Sequence, residues 1–284
     1  MSLFVQPTGL DDAIAHLATT RATVLAGGTD LYPACVGKPP PDSILDISRV
    51  GALRGIRAEI GIDGAPTHTR IGAATTWSEI IAHPLPGAFA GLKAAAREIG
   101  GRQIQNAGTI AGNLCNASPA ADGVPPLLAL GATVELASSR GVRQVALADF
   151  IRGNRRTVLE PDELLTAVLV PAWTATTRSA FLKLGHRRYL VISVTMVAVN
   201  MDIDAQGLVR RCAVAVGACS AVAQRLPQLE ARLVGTPASL APRHVEPRDL
   251  KVLSPIDDVR GSAAYRLEAA QELVRRALNE VGKP

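Results

Sequence analysis

The sequence predicts an α+β fold in three consecutive parts, which span residues 1–53, 54–174 and 175–284. Strand, turn and helix patterns alternate through the first two parts. In the third part, apolar residues alternate along two segments joined by the turn Asp204–Gly207, as is typical of an antiparallel sheet. A helical stripe of apolar residues then closes the chain, whose 284 residues are enough to bury a substantial core.

The first part is predicted to hold a helix between short strands. Thr8 is placed to cap the helix, because apolar residues then recur at helical spacing from Leu10. The apolar runs Thr23–Leu25 and Ser43–Ile47 predict strands, and the prolines of Lys38–Pro41 separate them. A unit this small must pack against a neighbour to be stable.

The second part combines helices with a hairpin. Thr76 and Glu79 form a capping box that predicts a helix start, and the apolar segment Val124–Leu130 predicts a helix with proline in its first turn. Two apolar runs on either side of Gly141 predict a β-hairpin.

The third part is predicted to be a meander followed by a helix. Its longest apolar run, Tyr189–Met201, predicts a buried strand, since it is shorter than the ~20 residues of a membrane span. Ser262 is predicted to cap the terminal amphipathic helix, which runs to Val281.

Charge and composition disfavour several classes of function. The net charge is +5, but 30 basic residues are dispersed among 25 acidic ones, and clusters such as Arg152–Arg156 lack interleaved aromatic residues. Nucleic-acid binding is therefore not expected, and these clusters are interpreted as solvated or subunit-facing surface.

The remaining bulk features favour a cytoplasmic protein without a metal site. The segment Met1–Pro7 has neither the basic nor the apolar region of a secretory signal, so a cytoplasmic location is expected. The 4 cysteines form no C-x-x-C motif, and the 5 histidines show no paired metal-ligand spacing, so no metal is expected on this chain. No catalytic triad or paired-carboxylate pattern is present either, which leaves the chemistry to a cofactor.

Two loops of small residues are the most informative features. Ala26–Leu31 contains Gly27 and Gly28 after a short strand, and Thr109–Asn113 contains Gly112. Small residues let the main chain approach a ligand, and consecutive N–H groups can converge on anionic oxygens. Taken alone, each loop is more often an ordinary turn than a ligand site, and neither matches the G-x-G-x-x-G or P-loop pattern. Together they predict a clamp for one diphosphate.

The chain resembles the FAD-binding (medium) subunit of the molybdenum hydroxylases, the xanthine dehydrogenase and carbon monoxide dehydrogenase family. The matching segments are Val24–Leu31, Ile71–Thr76, Ile99–Asp122, Glu163–Leu165 and Ser254–Ser262. The resemblance implies a two-subdomain FAD-binding domain of the PCMH type, followed by an α+β C-terminal domain with an antiparallel sheet and a terminal helix.

The resemblance also implies which residues contact FAD. The first loop and its strand would contribute Val24, Leu25, Ala26, Gly27, Gly28, Thr29, Asp30 and Leu31. The second loop would contribute the Thr109 hydroxyl and the main chain of Ile110, Ala111, Gly112 and Asn113, at the diphosphate. Asp122 would bind the ribose or adenine-side hydroxyls, Ile99 and Leu165 would lie beside the isoalloxazine, and Lys183 would favour negative charge on the reduced ring.

Simpler interpretations of three of these residues remain open. Asp122 is also placed to cap the helix that starts at Val124, Leu165 is compatible with a core position, and Lys183 with a surface position. Tyr189 stands where some relatives carry acidic residues, which leaves its role and the electron acceptor open.

The resemblance further implies cofactors and partners. FAD is expected to be non-covalent, since no histidine or cysteine is placed for a linkage. Molybdopterin and [2Fe-2S] clusters are expected only on partner subunits, because Cys115 stands alone without a cysteine-rich insertion. The partners would be a small iron–sulfur subunit and a large molybdopterin subunit, in a dimer of heterotrimers that passes electrons to NAD+ or oxygen.

Two other functions are compatible with the loops. One is a self-standing FAD-dependent oxidoreductase, and the other is a scaffold subunit that has lost its flavin. The substrate of a complex would bind on another polypeptide, so this sequence does not identify it.

Overall fold

The structure is a computed structural model that describes residues 3–62 and 64–283. The predicted limits at residues 1 and 284, and the sequence Met1–Ser2 used to judge the amino terminus, lie outside the described residues. The described chain forms three main β-sheets with helices packed on them, so the predicted α+β fold is confirmed. The division at residues 53 and 174 stays a prediction.

The first sheet is small and parallel. Its strands are β1 (Leu3–Val5), β2 (Thr23–Leu25) and β3 (Ser43–Asp46), in the order β1-β3-β2. The helices of this region are α1 (Leu10–Thr19) and α2 (Leu31–Ala34). The predicted Thr8 cap is wrong: the cap position is Gly9, without a side-chain bond, because the helix begins at Leu10 and Thr8 lies one residue too early.

The next part of the chain contains seven strands. They are β4 (Ile56–Ile60), β5 (Pro66–Gly72), β6 (Thr133–Ser138), β7 (Gly141–Ala146), β8 (Ile151–Gly153), β9 (Arg156–Thr157) and β10 (Leu164–Pro171). β8 and β9 pair with each other, and the others form an antiparallel sheet in the order β4-β5-β10-β6-β7. The predicted hairpin is confirmed as β6–β7.

Six helices accompany this sheet. They are α3 (Trp77–Ala82), α4 (Ala90–Glu98), α5 (Arg102–Ala107), α6 (Ile110–Asn116), α7 (Val124–Ala129) and α8 (Leu147–Phe150). The predicted capping box of α3 is confirmed: the Thr76 hydroxyl accepts from the Glu79 N–H, and the Glu79 carboxylate accepts from the Thr76 N–H at 2.8 Å. α7 has the predicted proline in its first turn.

The last part is an antiparallel sheet covered by helices. Its strands are β11 (Arg178–Leu184), β12 (Thr195–Ile203), β13 (Val209–Gly217) and β14 (Gln224–Arg225), in chain order, and its helices are α9 (Pro227–Leu233) and α10 (Ala263–Gly282). Short 3-10 helices lie at Gly51–Leu53, Gly87–Phe89, Ala238–His244 and Pro247–Val252. Ser262 caps α10 as predicted, accepting from the Tyr265 N–H at 3.2 Å.

The apolar run at Tyr189–Met201 is only partly a strand. β12 begins at Thr195, while Tyr189 and Leu190 are exposed and Leu190 has φ of 52°. The chain needs this irregular segment to turn from β11 into β12, whose pairing starts at Leu184 and Thr195. The prediction that the whole run is a buried strand is therefore wrong.

Hydrogen bonds tie the second predicted loop to the start of α3, and close packing brings the first loop against it. Thr109 and Thr76 form an isolated β-bridge, and the Trp77 N–H donates to the Gly108 carbonyl at 3.2 Å. Gly27 packs so closely on the residue before Gly108 that a Cβ at position 27 would lie 1.8 Å from the Ala107 carbonyl oxygen. No helix among the described residues is both long and apolar enough to cross a membrane.

Candidate functional site

A cavity of about 550 Å³ lies between the first sheet and α6. This volume is within the range of sites for cofactors. All but three of the residues predicted to bind FAD line it, and the exceptions are Ile110, Asp122 and Lys183. The predicted residues in the lining are Val24, Leu25, Ala26, Gly27, Gly28, Thr29, Asp30, Leu31, Ile99, Thr109, Ala111, Gly112, Asn113 and Leu165.

The first loop presents unused hydrogen-bond donors to the cavity. Within the described residues, the N–H groups of Gly27–Leu31 donate to no protein acceptor. Gly28 has φ of +69°, a backbone conformation that favours glycine. A run of free N–H groups beside a left-handed residue forms a concave donor surface for an anion.

The second loop is different, because its N–H groups are already used. The Ile110 N–H donates to the Thr75 carbonyl at 3.0 Å, and the Ala111 N–H donates to the Ala73 carbonyl at 3.2 Å. The N–H groups of Gly112 and Asn113 donate to the hydroxyl and carbonyl oxygens of Thr109. Ile110 itself is fully buried. This loop therefore forms part of the cavity wall and contributes the Thr109 hydroxyl, but it has no row of free N–H donors.

Asn113 adds an acceptor without a partner. Its Oδ1 is buried and forms no hydrogen bond to any described residue, although the side chain lines the cavity. A Cβ on Gly123 would lie 2.7 Å from this oxygen, so the glycine leaves room for the amide. A buried polar atom without a partner is costly, and rotation of the Asn113 amide would let a ligand hydroxyl in the cavity satisfy it.

Aliphatic side chains line another part of the cavity. Ile99, Ile104 and Leu165 all contribute to its wall, together with Trp77. Leu165 is 2% exposed and lies at a register shift in β10, where Thr166 is the extra residue. Leu165 is thus both part of the core and part of the cavity wall, so its two interpretations are not exclusive.

Asp122 and Lys183 bind each other away from the lining. Lys183 Nζ lies 2.6 Å from Asp122 Oδ2, and the Ser193 hydroxyl donates to Asp122 Oδ1 at 2.7 Å. Both charged side chains are buried, so the interpretation of Lys183 as a surface residue is wrong. The helix-cap interpretation of Asp122 is also wrong, because the cap position of α7 is Gly123 and has no side-chain bond. Burial raises the pKa of the Asp122 carboxyl, and Lys183 and Ser193 oppose that rise.

The structure adds lining residues that the sequence did not indicate. The most informative are Cys115, Asn116 and Arg155. Burial raises the pKa of the Cys115 thiol to about 12, so this thiol is uncharged at neutral pH. Arg155 belongs to the cluster interpreted as solvated surface, and only the fold brings it to the cavity. Among the described residues, no group of three or more His, Cys, Asp or Glu side chains is placed to hold a metal ion.

Comparison with known proteins identifies the family. The family model for the FAD binding domain in molybdopterin dehydrogenase matches residues 1–173. The model for the CO dehydrogenase flavoprotein C-terminal domain matches residues 180–281. The chain belongs to the FAD subunits of the molybdenum hydroxylases. It is therefore a component of an oxidoreductase.

Individual relatives agree with this assignment. The nicotinate dehydrogenase FAD-subunit of Eubacterium barkeri is 35% identical over 245 residues, which cover 84% of this chain and 81% of that protein. The putative xanthine dehydrogenase FAD-binding subunit of Escherichia coli K12 is 32% identical, with 95% and 92% covered. A solved carbon monoxide dehydrogenase from Hydrogenophaga pseudoflava superimposes with a TM-score of 0.86 at 30% identity, covering 98% of this chain and 96% of that one.

The cavity of this FAD subunit fits the chemistry of FAD. The free N–H groups of Gly27–Leu31 suit the two negative charges of a diphosphate. The unpartnered Asn113 oxygen suits a sugar or ribityl hydroxyl, and the aliphatic wall at Ile99 and Leu165 suits a flat apolar ring system. The position of each residue against the cofactor stays a prediction.

Proposed function

We propose that this FAD subunit passes electrons from the iron–sulfur centres of a small partner subunit to NAD+ or oxygen. Bound FAD would supply a redox centre able to take up electrons singly and release them in pairs. The observation that carries the proposal is the cavity, in which free main-chain donors, an unpartnered amide oxygen and an aliphatic wall come together. The residues of the chain bind and orient the cofactor there.

The same proposal includes a larger assembly. The small iron–sulfur subunit and a large molybdopterin subunit would complete a heterotrimer, and two heterotrimers would associate. Support comes from the relatives, which are named as subunits or as a medium chain of dehydrogenases. All 4 cysteines are free thiols, which suits the reducing environment of the cytoplasm, where we place the complex.

The purified chain is expected to be yellow and to hold FAD without a covalent bond. Its visible absorption spectrum should show a flavin, and acid precipitation should release FAD into the supernatant in a 1:1 ratio with protein. A colourless chain that does not bind added FAD would favour the scaffold alternative. Flavin retained on the precipitated polypeptide would contradict non-covalent binding.

The isolated chain is also expected to lack hydroxylase activity, because the substrate would be converted on the molybdopterin subunit. The measurement compares the purified chain with the complex obtained by coexpressing the neighbouring open reading frames. Full hydroxylation by the single chain, free of molybdenum and iron, would favour the self-standing oxidoreductase instead. Reoxidation of the reduced complex by NAD+ or by air then distinguishes the two acceptors.

A further inference from the structure

Arg155 is held at the cavity by an unusual backbone conformation. It follows β8 in the turn to β9, and its φ is 54° although it is not a glycine. Its N–H donates to the carbonyl of Ala117, which is also left-handed at φ of 48°. Its guanidinium Nη1 donates to Asn116 Oδ1 at 2.5 Å. Strained backbone of this kind persists where the surrounding structure fixes it, often at functional sites.

The charge of Arg155 has no carboxylate partner among the described residues. Two arginines of the neighbouring hairpin are paired, since Arg140 contacts Asp162 and Arg143 contacts Glu163. Arg155 forms no such ion pair, and it is the only basic side chain that the described part of the chain places in the cavity lining. The cavity wall therefore carries the exposed Arg155 guanidinium, which forms no ion pair with a described residue, and the carboxylate of Asp30 lies elsewhere in the same lining.

The course of α6 shows how far the Arg155 guanidinium lies from the two loops. Thr109, beside the first loop, caps the start of α6, whereas Asn116 and Arg155 lie at its end. A helix of seven residues is about 10 Å long. A diphosphate held at Gly27–Leu31 and Thr109 would thus lie about one helix length from Arg155. That separation matches the length of the adenosine half of FAD, measured from its diphosphate.

We propose that Arg155 binds the adenosine half of FAD and makes this subunit select FAD over FMN. This inference rests on the proposed FAD binding. A guanidinium is flat, stacks on aromatic rings and carries donors that suit the ring nitrogens of adenine. Asn116 and the left-handed backbone orient the guanidinium, and the adenine ring supplies an aromatic surface on which it can stack.

The test measures the dissociation constants of FAD, FMN and riboflavin with the flavin-free full-length chain, by fluorescence titration. Arg155→Met removes the guanidinium, and Arg155→Gly removes it while relaxing the left-handed backbone, so the second variant is expected to fold. Both should weaken FAD about tenfold and leave FMN and riboflavin unchanged. Arg156→Met is the matched control, because Arg156 is exposed like Arg155 but lies on β9 outside the cavity lining, and the FAD affinity of this variant should stay at the native value.

The outcomes separate this inference from the proposed function. A native chain that binds no FAD would overturn both. A native chain that binds FAD, with an Arg155→Gly variant that binds it equally well, would overturn only the role of Arg155. An equal loss of FAD and FMN affinity would also overturn it, because Arg155 would then act on a part that both flavins share.

Discussion

The substitution Gly27→Ala should cause the largest loss of FAD, about 100-fold in affinity. The added Cβ would lie 1.8 Å from the carbonyl oxygen and 2.5 Å from the carbonyl carbon of Ala107. Both are backbone atoms, so no side chain can rotate to make room. The first loop must therefore move away from the second, which misaligns the free N–H groups of Gly27–Leu31 with Thr109. Losing about two hydrogen bonds to a charged group, at ~1.5 kcal/mol each, gives this factor.

Flavin occupancy of the purified variant and its dissociation constant for FAD test this expectation. Gly51→Ala is the matched control: it lies in the same region, a Cβ added there would meet no atom within 4 Å, and FAD binding should be unchanged. Crowding at Gly27 is expected to cost ~1–3 kcal/mol of stability, less than the total for a typical domain, so circular dichroism should show a folded variant. Native FAD affinity in folded Gly27→Ala would mean that the loops do not form the clamp.

Local patterns predicted the elements of this chain well, because they depend on residues close in sequence. The Thr76–Glu79 capping box, the hairpin about Gly141 and the Ser262 cap all occur as predicted. The Tyr189–Met201 run failed for a physical reason. Hydrophobicity alone does not show where strand pairing begins, and the left-handed Leu190 turns the chain before β12 starts.

The site was less predictable, since it depends on contacts between distant residues. Small residues indicated both loops, but only the fold shows that the N–H groups of Ile110 and Ala111 are used by Thr75 and Ala73. Arg155 belonged to a run of basic residues that is normally solvated, and no local signal shows its left-handed backbone. The pairing of Asp122 with Lys183, far apart in sequence, has no sequence signal either.

The substitution Lys183→Met should destabilise the folded chain strongly, by ~3–5 kcal/mol near neutral pH. Lys183 and Asp122 are both buried, with side chains 7% and 8% exposed. Removing the ammonium leaves the Asp122 carboxylate with only the Ser193 hydroxyl, and an unpaired buried charge is costly. Asp122→Asn combined with Lys183→Met removes both charges and should cost less than Lys183→Met alone. Urea unfolding of the two variants and the native chain gives these differences.

The loss caused by Lys183→Met should also depend on pH in a defined direction. Burial raises the pKa of Asp122 above its ordinary value of 3.8, and without Lys183 that rise is larger. A group whose pKa is raised in the folded state binds its proton more tightly in that state than in the unfolded chain. Its protonation therefore stabilises the folded chain at low pH, and this contribution is lost as the pH rises. The difference between native and variant should therefore be small near pH 4 and grow towards pH 8.

An exposed ion pair provides the control for that trend. Arg276 and Glu272 pair at 2.8 Å on α10 with side chains 66% and 50% exposed, so Arg276→Met should cost no more than ~0.5 kcal/mol. Its effect should also change little with pH, because solvent already stabilises both charges. If Lys183→Met costs as little as Arg276→Met at pH 8, the buried Asp122–Lys183 pair does not stabilise the folded chain.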